Sequence, residues 1–341
     1  MNARSMLVSV LAVCLLAGCG PVTEVQQPAP AHPIAGIHTL RPPGDVFALF
    51  LDGTTMWCGG VDGVCAVDTQ GRSVAQTVDA GRPMTYVRGI ARDSEGALWF
   101  ASERGLVRWK DETATWFTTR EGLPDNRVNC VCVTREGELW AGTWSGAALR
   151  TGDGWKVLHK QDGLADDMVR VMLQDASGGL WFGSYVAPAG GLAIRTGSGW
   201  QRFSTQNGLP HNNIVSLYEA GDGTVWVGTG FMDDGGAVQF KRTGREWYIE
   251  RVLEKAGGLA GGKARSVYVT RDGTLLVGSE YEGMAVQTRE GFRVLTTADG
   301  LSDNEVKCML EDGDGNLWCA TRDGLTIIDR ETLIQIAEGR A

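Results

Sequence analysis

The sequence predicts an all-β chain, a seven-bladed β-propeller of four-stranded antiparallel blades. A short unit, clearest as Asp312-Gly313-Asp314-Gly315-Asn316-Leu317-Trp318-Cys319-Ala320-Thr321, recurs along it. Copies end at Met56-Trp57, Leu98-Trp99, Leu139-Trp140, Leu180-Trp181, Val225-Trp226 and Leu275-Leu276, so the unit appears seven times, at spacings of 42, 41, 41, 45, 50 and 42 residues. A period of about 40–50 residues suits one four-stranded blade. Composition agrees: 48 glycines and 12 tryptophans in 341 residues fit many tight turns and a repeated aromatic core position, and helix-period patterning is nearly absent.

The chain opens with Arg4 and an apolar run from Met6 to Ala17, too short to span a bilayer comfortably and typical of a signal peptide. That run ends in Leu16-Ala17-Gly18-Cys19, which resembles the lipobox of bacterial lipoproteins. The resemblance implies cleavage before Cys19, lipidation of its thiol, and, with Gly20 next, retention at the outer membrane if the cell is Gram-negative. The alternative is an ordinary secretory signal with a chance cysteine. Residues 1–18 are therefore read as a lipoprotein signal peptide and 19–35 as the lipidated cysteine with a Pro-rich tether, since residues 20–33 hold four prolines and no aromatic. Residues 36–341 form the propeller. No later stretch is apolar enough to cross a membrane, so the partner expected at this end is the membrane itself, reached through lipid, with the folded part in the periplasm or otherwise outside the cytoplasm.

The formal net charge is −9, and lysines and arginines are scattered without a basic run. That argues against nucleic acid, which needs a concentrated cationic face. Cys14 leaves with the signal and Cys19 takes the lipid, which leaves six cysteines. Cys58 and Cys65 flank one predicted hairpin turn, and Cys308 and Cys319 flank another, at positions that could lie opposite each other. Each pair is a disulfide or two buried thiols, since export permits the bond but sequence does not fix its geometry. Cys130 and Cys132 share one strand face with no zinc-like grouping around them. No metal or other cofactor is expected.

The third repeat gives the blade plan. Residues 127–133 are the inner strand, 138–142 the second, 146–150 the third and 155–158 the outermost. The tryptophan of each repeat forms one aromatic column, and Trp116, Trp155, Trp200, Trp247 and Phe292 on the fourth strands form another. Both columns are read as core packing. Trp109, within a third strand, and Trp144, in a loop, fall outside them.

Between blades runs a further signature: Glu121-Gly122-Leu123-Pro124-Asp125-Asn126, Asp162-Gly163-Leu164-Ala165-Asp166-Asp167, Asn207-Gly208-Leu209-Pro210-His211-Asn212 and Asp299-Gly300-Leu301-Ser302-Asp303-Asn304, with Gly257-Gly258-Leu259-Ala260 degraded. This signature, followed by a short strand and then D-x-x-G-x-L-W-x-G-T, resembles the two-component regulator propeller repeat of extracytoplasmic sensor regions in hybrid histidine kinases. Over about residues 36–330 it implies a seven-bladed propeller that binds a ligand or partner. The sequence ends at Ala341 with no kinase, so the expectation is a module that reports through another protein or simply binds. The last blade is expected to complete itself with residues 325–329 and 333–336, and Ile37-His38-Thr39-Leu40 could compete for that outer edge.

Loops from second to third strands and loops between blades share one face of a propeller. Trp144 in blade 3, an insertion around Tyr185 in blade 4, Phe231, Asp233 and Asp234 in blade 5, and Tyr281 with Glu282 in blade 6 enrich one sector of that rim in aromatics and carboxylates. Such a rim would suit a small ligand, a glycan or a peptide; the alternative is that it only covers the channel mouth. Catalysis has little support. Of the four histidines only His211 lies in a blade-connecting loop, where a turn role explains it, and the histidine-rich metal site of the streptogramin-inactivating lyases is not evident. Asp312, Asp314 and Asn316 alternate as in a calcium loop, but no bidentate glutamate follows and turn chemistry explains them. The function expected is a lipid-anchored extracytoplasmic ligand-binding or sensor-like module, not an enzyme, with an envelope or sensor protein as a further partner. The alternatives are a propeller-fold lyase or hydrolase and a protein-docking scaffold in the cell envelope.

Overall fold

The computed structural model describes residues 33–152, 154–186 and 188–340. The expected signal peptide, Cys19 and the tether up to residue 32 lie outside them. The described chain forms seven four-stranded antiparallel sheets. Six take their strands consecutively from one stretch of chain. The seventh takes Val306–Glu311, Leu317–Thr321 and Gly324–Ile328 from the C-terminal end and completes itself with Ile37–Leu40, with Ile37 opposite Ile328 and Leu40 opposite Leu325. The ring is closed by both ends of the propeller, which removes an exposed sheet edge.

This settles the competition for the outer edge and corrects the reading of residues 333–336 as a strand. Arg330–Ala337 is an α-helix. With the edge already taken by Ile37–Leu40, the segment instead buries Leu333 and Ile336, three residues apart on one helix face, against Met284 and Val286 of blade 6 and Cys319 and Ile328 of blade 7. Asp329 ties the two ends together: its carboxylate accepts from His38 Nε2 at 3.0 Å and from Arg72 at 2.5 Å.

The repeated unit is explained position by position. In blade 4, Asp175 is fully buried; its Oδ1 accepts from Ser177 N, Ser177 Oγ and Gly179 N at 2.7, 2.5 and 3.0 Å, and its Oδ2 accepts the indole N–H of Trp181 at 2.7 Å. One carboxylate thus closes the turn from inner to second strand and fixes the core tryptophan six residues on. Asp93 with Trp99 and Asp312 with Trp318 repeat the device, at 2.7 and 2.9 Å. The calcium-like spacing at Asp312 is this turn, since its oxygens accept from Asp314 N, Asn316 N and Asn316 Nδ2 as well. The glycine of the unit makes room for the next blade: a Cβ at Gly142 would lie 2.8 Å from Val169 Cγ1. The threonine closes the following turn, with Thr143 Oγ1 donating to Gly146 O at 2.8 Å. Gly146, at φ 124°, also approaches the outer strand so closely that a Cβ would sit 2.7 Å from Leu158 O.

The connecting signature is structural too. The first position caps a short 3₁₀ turn by accepting the backbone N–H three residues earlier, from Thr118 to Glu121 at 2.8 Å, His159 to Asp162 at 2.9 Å and Ser204 to Asn207 at 2.6 Å. The leucine is buried, as at Leu123, Leu164, Leu209 and Leu301. The last position accepts the N–H seven residues back: Asn126 from Thr119, Asp167 from Lys160, Asn212 from Thr205 and Asn304 from Thr297, all within 2.7–2.9 Å.

The second-strand tryptophans Trp57, Trp99, Trp140, Trp181, Trp226 and Trp318 are all buried, whereas of the fourth-strand column only Trp247 is, and Trp116, Trp155, Trp200 and Phe292 are half-buried at the outer edge. Trp109 packs edge-on against Trp57 with ring centroids 5.4 Å apart.

Replacing Asp175 by Ala would leave three turn donors and one indole N–H without their acceptor, and chemical denaturation should show a loss of about 2–3 kcal/mol. Asp175→Asn keeps one acceptor oxygen and should lose roughly half as much. A change below about 0.5 kcal/mol for the alanine variant would mean the clamp does not hold the blade.

Candidate functional site at the channel mouth

The inner strands do more than line the axis. In blade 1, Val46 opposes Gly60 and Ala48 opposes Gly59, so Phe47 between them is an extra residue without a partner. The same one-residue bulge falls at Asn129 in blade 3, Arg170 in blade 4, Val215 in blade 5 and Lys307 in blade 7. In blade 2, Gly89 opposes Ala101, whose carbonyl also accepts from Arg88 N at 2.9 Å; in blade 6, Ser266 opposes Gly278, whose carbonyl accepts from Arg265 N at 2.7 Å. A bulge re-aims a side chain out of strand alternation. Phe47, Arg88, Asn129, Arg170, Val215, Arg265 and Lys307, one from each blade, all line one central cavity of about 480 Å³. Beyond that ring the cavity wall turns apolar, with Leu49, Ile90, Val131, Leu173 and Leu217.

Four of the seven ring positions carry positive charge, and they are not equally compensated. Lys307 pairs with Asp45 and lies 3.5 Å from Glu305, which is also 3.5 Å from Arg265. Arg88 and Arg170 have no carboxylate within ion-pair distance among the described residues. Their guanidinium groups lie instead near aromatic rings: Arg88 5.1 Å from Tyr86 and 5.6 Å from Phe47, and Arg170 5.9 Å from Tyr185. Burial, then the like charges of Arg265 and Arg88, pull the pKa of Arg170 down to about 9, so it stays a cation at neutral pH. Arg88 is lowered as well, by burial and by Arg265, with Glu103 acting against.

The expected rim residues divide. Tyr185 reaches this mouth, where its hydroxyl lies 3.3 Å from Lys263 Nζ, and Lys263 in turn pairs with Glu280 at 2.6 Å. Tyr281 is 63% exposed, and the neighbouring Glu280 raises its pKa. Trp144 stands apart in blade 3, 42% exposed, with Arg127 stacked 4.2 Å above its ring. Phe231 and Asp234 close an extended hairpin of blade 5 rather than a loop, with Met232 and Asp233 at its tip, because the second and third strands there run on as Val225–Phe231 and Asp234–Thr243. Glu282 is taken up by Lys255 at 2.5 Å. His211 is a turn residue whose Nδ1 accepts from Asn213 N at 2.9 Å; burial lowers its pKa, with Lys263 adding to that and Asp234 opposing.

The sequence reading missed the ring cations, although residues 47, 88, 129, 170, 215, 265 and 307 repeat at the same period as the tryptophans. A wider groove of about 580 Å³ runs along blade 2 and its connections to the neighbouring blades, where Glu121 is engaged with Thr118, Asn126 with Thr119, and Arg82 lies over the ring of Trp116 at 3.9 Å.

With the geometry in hand, the family comparison is direct. The model of the two component regulator propeller matches residues 122–145, 163–186, 208–231 and 300–323, each running from a connecting turn through a bulged inner strand to the end of the tryptophan strand. These repeats are two-component regulator propeller repeats. No curated protein matches the sequence. Among solved structures, the chain is similar to the extracellular domain assigned to the hybrid two component system BT3049 of B. thetaiotaomicron, at 19% identity and a TM-score of 0.73, covering 88% of this chain and 42% of that one. It is also similar to the extracellular domain assigned to the one component system BT4673 of the same organism, at 16% identity and a TM-score of 0.69, covering 86% and 40%. The chain thus spans about two fifths of the length of these two. The virginiamycin B lyase of Staphylococcus aureus shares the fold at 12% identity and a TM-score of 0.64, covering 86% of this chain and 98% of the lyase. At these identities the likeness is one of fold.

The cysteines of the chain separate by register. Cys58 lies directly opposite Cys65. Cys308 does not oppose Cys319: closing the hairpin at Glu311 and Leu317 sets Cys308 against Ala320 and Cys319 against Met309, so the two thiols sit on opposite faces. That corrects the expected placement of this pair. All six are free thiols here. Cys58 is raised by the thiol of Cys65 and by burial, and Cys65 is lowered by the same contact. Burial pushes Cys130 up to about 12 and Cys132 up to about 11. Mild oxidation of the folded protein should therefore join Cys58 to Cys65 and leave the other four as thiols. Peptide mapping that instead found a Cys308–Cys319 bond would overturn this register.

Proposed function

We propose that this chain is an extracytoplasmic ligand-binding, sensor-like propeller, held to the membrane by lipid on Cys19, that acts through binding or through a partner protein rather than by catalysis. The observation that carries the reading is the open central cavity, where every blade contributes one side chain and Tyr185, Lys263 and Glu280 border the mouth. A concave site lined by apolar walls with a few convergent polar groups is the usual form of a small-molecule site. The family match supports a sensor-type propeller. Among the described residues no helix is long and apolar enough to cross a membrane, which fits attachment by lipid. No group of three or more histidine, cysteine or carboxylate side chains in metal-binding geometry occurs among them. One feature favours a docking role as the second reading: Phe231 and Met232, 49% and 64% exposed, form an apolar hairpin tip on blade 5.

Residues 34–341 contain every blade and the closing strand, and this fragment can be screened by thermal shift against glycans, peptides and small metabolites. A ligand present at one hundred times its Kd stabilises the folded state by about 2.7 kcal/mol. At least one hit should be weakened by Tyr185→Ala, beside Arg170 at the cavity mouth, and left unchanged by Trp144→Ala, which stands apart. A well-folded protein that no ligand stabilises, but that captures an envelope protein unless Phe231 and Met232 are replaced by Ser, would favour docking.

A further inference from the structure

We propose that the channel mouth is an oxyanion site, formed by Arg88 and Arg170 with Arg265 beside them, that recognises a ligand through a carboxylate, phosphate or sulfate group. This rests on the reading of the channel as a ligand-binding cavity and names the chemistry the cavity selects.

Arg88, Arg170 and Arg265 hold the ring position of blades 2, 4 and 6, Arg170 on a strand bulge and the other two just before their paired inner strands, so three cationic side chains from alternate blades line the one cavity. Like charges brought together at a common cavity repel: Arg265 helps to lower the pKa of Arg88, and Arg265 and Arg88 help to lower that of Arg170. A fold can tolerate such a cluster when opposite charge sits nearby. Arg265 and Lys307 have it, in Glu305 and Asp45. Arg88 and Arg170 have no carboxylate within ion-pair distance, Glu103 acting on Arg88 only from farther off, and no side-chain N–H of either donates a hydrogen bond within the described residues. Each guanidinium has five N–H donors in a planar fork suited to a carboxylate, phosphate or sulfate.

The surroundings narrow the ligand further. The chain as a whole carries a formal charge of −9, so a channel mouth with four cations and two direct counter-charges is a local reversal of sign. A cleft of one sign with low-dielectric walls concentrates counter-ions from solution. Leu49, Ile90, Val131, Leu173 and Leu217 line the same cavity, and a volume of about 480 Å³ is that of a small molecule, not of a free ion alone. The occupant that fits is a small organic molecule carrying one oxyanion, its charged group between Arg88 and Arg170 and its remainder along the apolar wall.

The test is isothermal titration of residues 34–341 with inorganic sulfate, inorganic phosphate and succinate at constant ionic strength, with chloride as the reference anion. The result expected is saturable binding of at least one oxyanion at one site per chain, weakened at least tenfold by Arg170→Gln and by Arg88→Gln, and unchanged by Arg245→Gln on an exposed turn. Without any oxyanion, Arg170→Gln should melt about 1–3 °C higher than the parent, because it removes an uncompensated like charge. A residue needed only for structure would melt lower when replaced, so the two roles move in opposite directions. Absence of binding by all three anions would overturn the proposal, as would equal affinity in the parent and both variants. If a neutral ligand from the wider screen binds parent and Arg170→Gln alike while no oxyanion binds, the oxyanion site fails and the ligand-binding reading of the propeller stands.

Discussion

Seven inner strands must run side by side around one axis, and five of them carry one residue more than the strand they pair with, while in blades 2 and 6 Arg88 and Arg265 hold the equivalent place just before the paired stretch. The extra residue bends the strand and takes a side chain out of the in–out alternation that would otherwise bury it between blades. Everything distinctive about the channel depends on this. Without this placement, Arg88, Arg170, Arg265 and Lys307 would point into the packed space between sheets, where an unpaired charge is not tolerated. With it, they line the central cavity while Val87, Val169, Ala264 and Val306, one residue earlier, stay buried in the core. The alternation resumes beyond the bulge, so the core is undisturbed.

The two sequence signatures divide the work of building the blades. The Asp–Trp clamp at Asp93, Asp175 and Asp312 closes the first hairpin of a blade and pins its core ring. The capped turn with its buried leucine passes the chain from the outer strand of one blade to the inner strand of the next. Both signatures are spent on structure, which is why their presence identifies the fold and leaves the ligand open. Where a blade lacks the aspartate, the substitute is local: in blade 3 Trp140 donates to Glu138 at 3.1 Å, and in blade 1 the indole N–H of Trp57 has no partner among the described residues.

The fold was legible because turns and core tryptophans repeat at a fixed interval and each copy carries its own turn chemistry. Three features were hidden for physical reasons. The helix at Arg330–Ala337 contains Leu333-Ile334-Gln335-Ile336, a run that reads as strand by local preference; the outer edge it would have joined is filled by Ile37–Leu40, a pairing across the whole chain that no local window contains. The offset of Cys308 and Cys319 depends on which residues close their hairpin, and a shift of one position reverses the face. The ring of cations hid because a bulged residue breaks the period-two pattern by which strand faces are assigned. Of the rim residues picked for their composition, Tyr185 reaches the channel mouth; Trp144 and Glu282 are engaged elsewhere, with Arg127 and Lys255.

The channel therefore joins a cationic ring to an apolar wall inside a chain that is acidic overall, and a ligand-binding role rests on that ring being open to solutes. The most direct measurement is a crystal structure of residues 34–341 grown with selenate, a sulfate analogue whose selenium is located by anomalous scattering. The result expected is a peak in the central cavity within hydrogen-bonding distance of the guanidinium groups of Arg88 and Arg170. Selenate bound only on the outer faces, with the two arginines turned onto protein carboxylates, would contradict it.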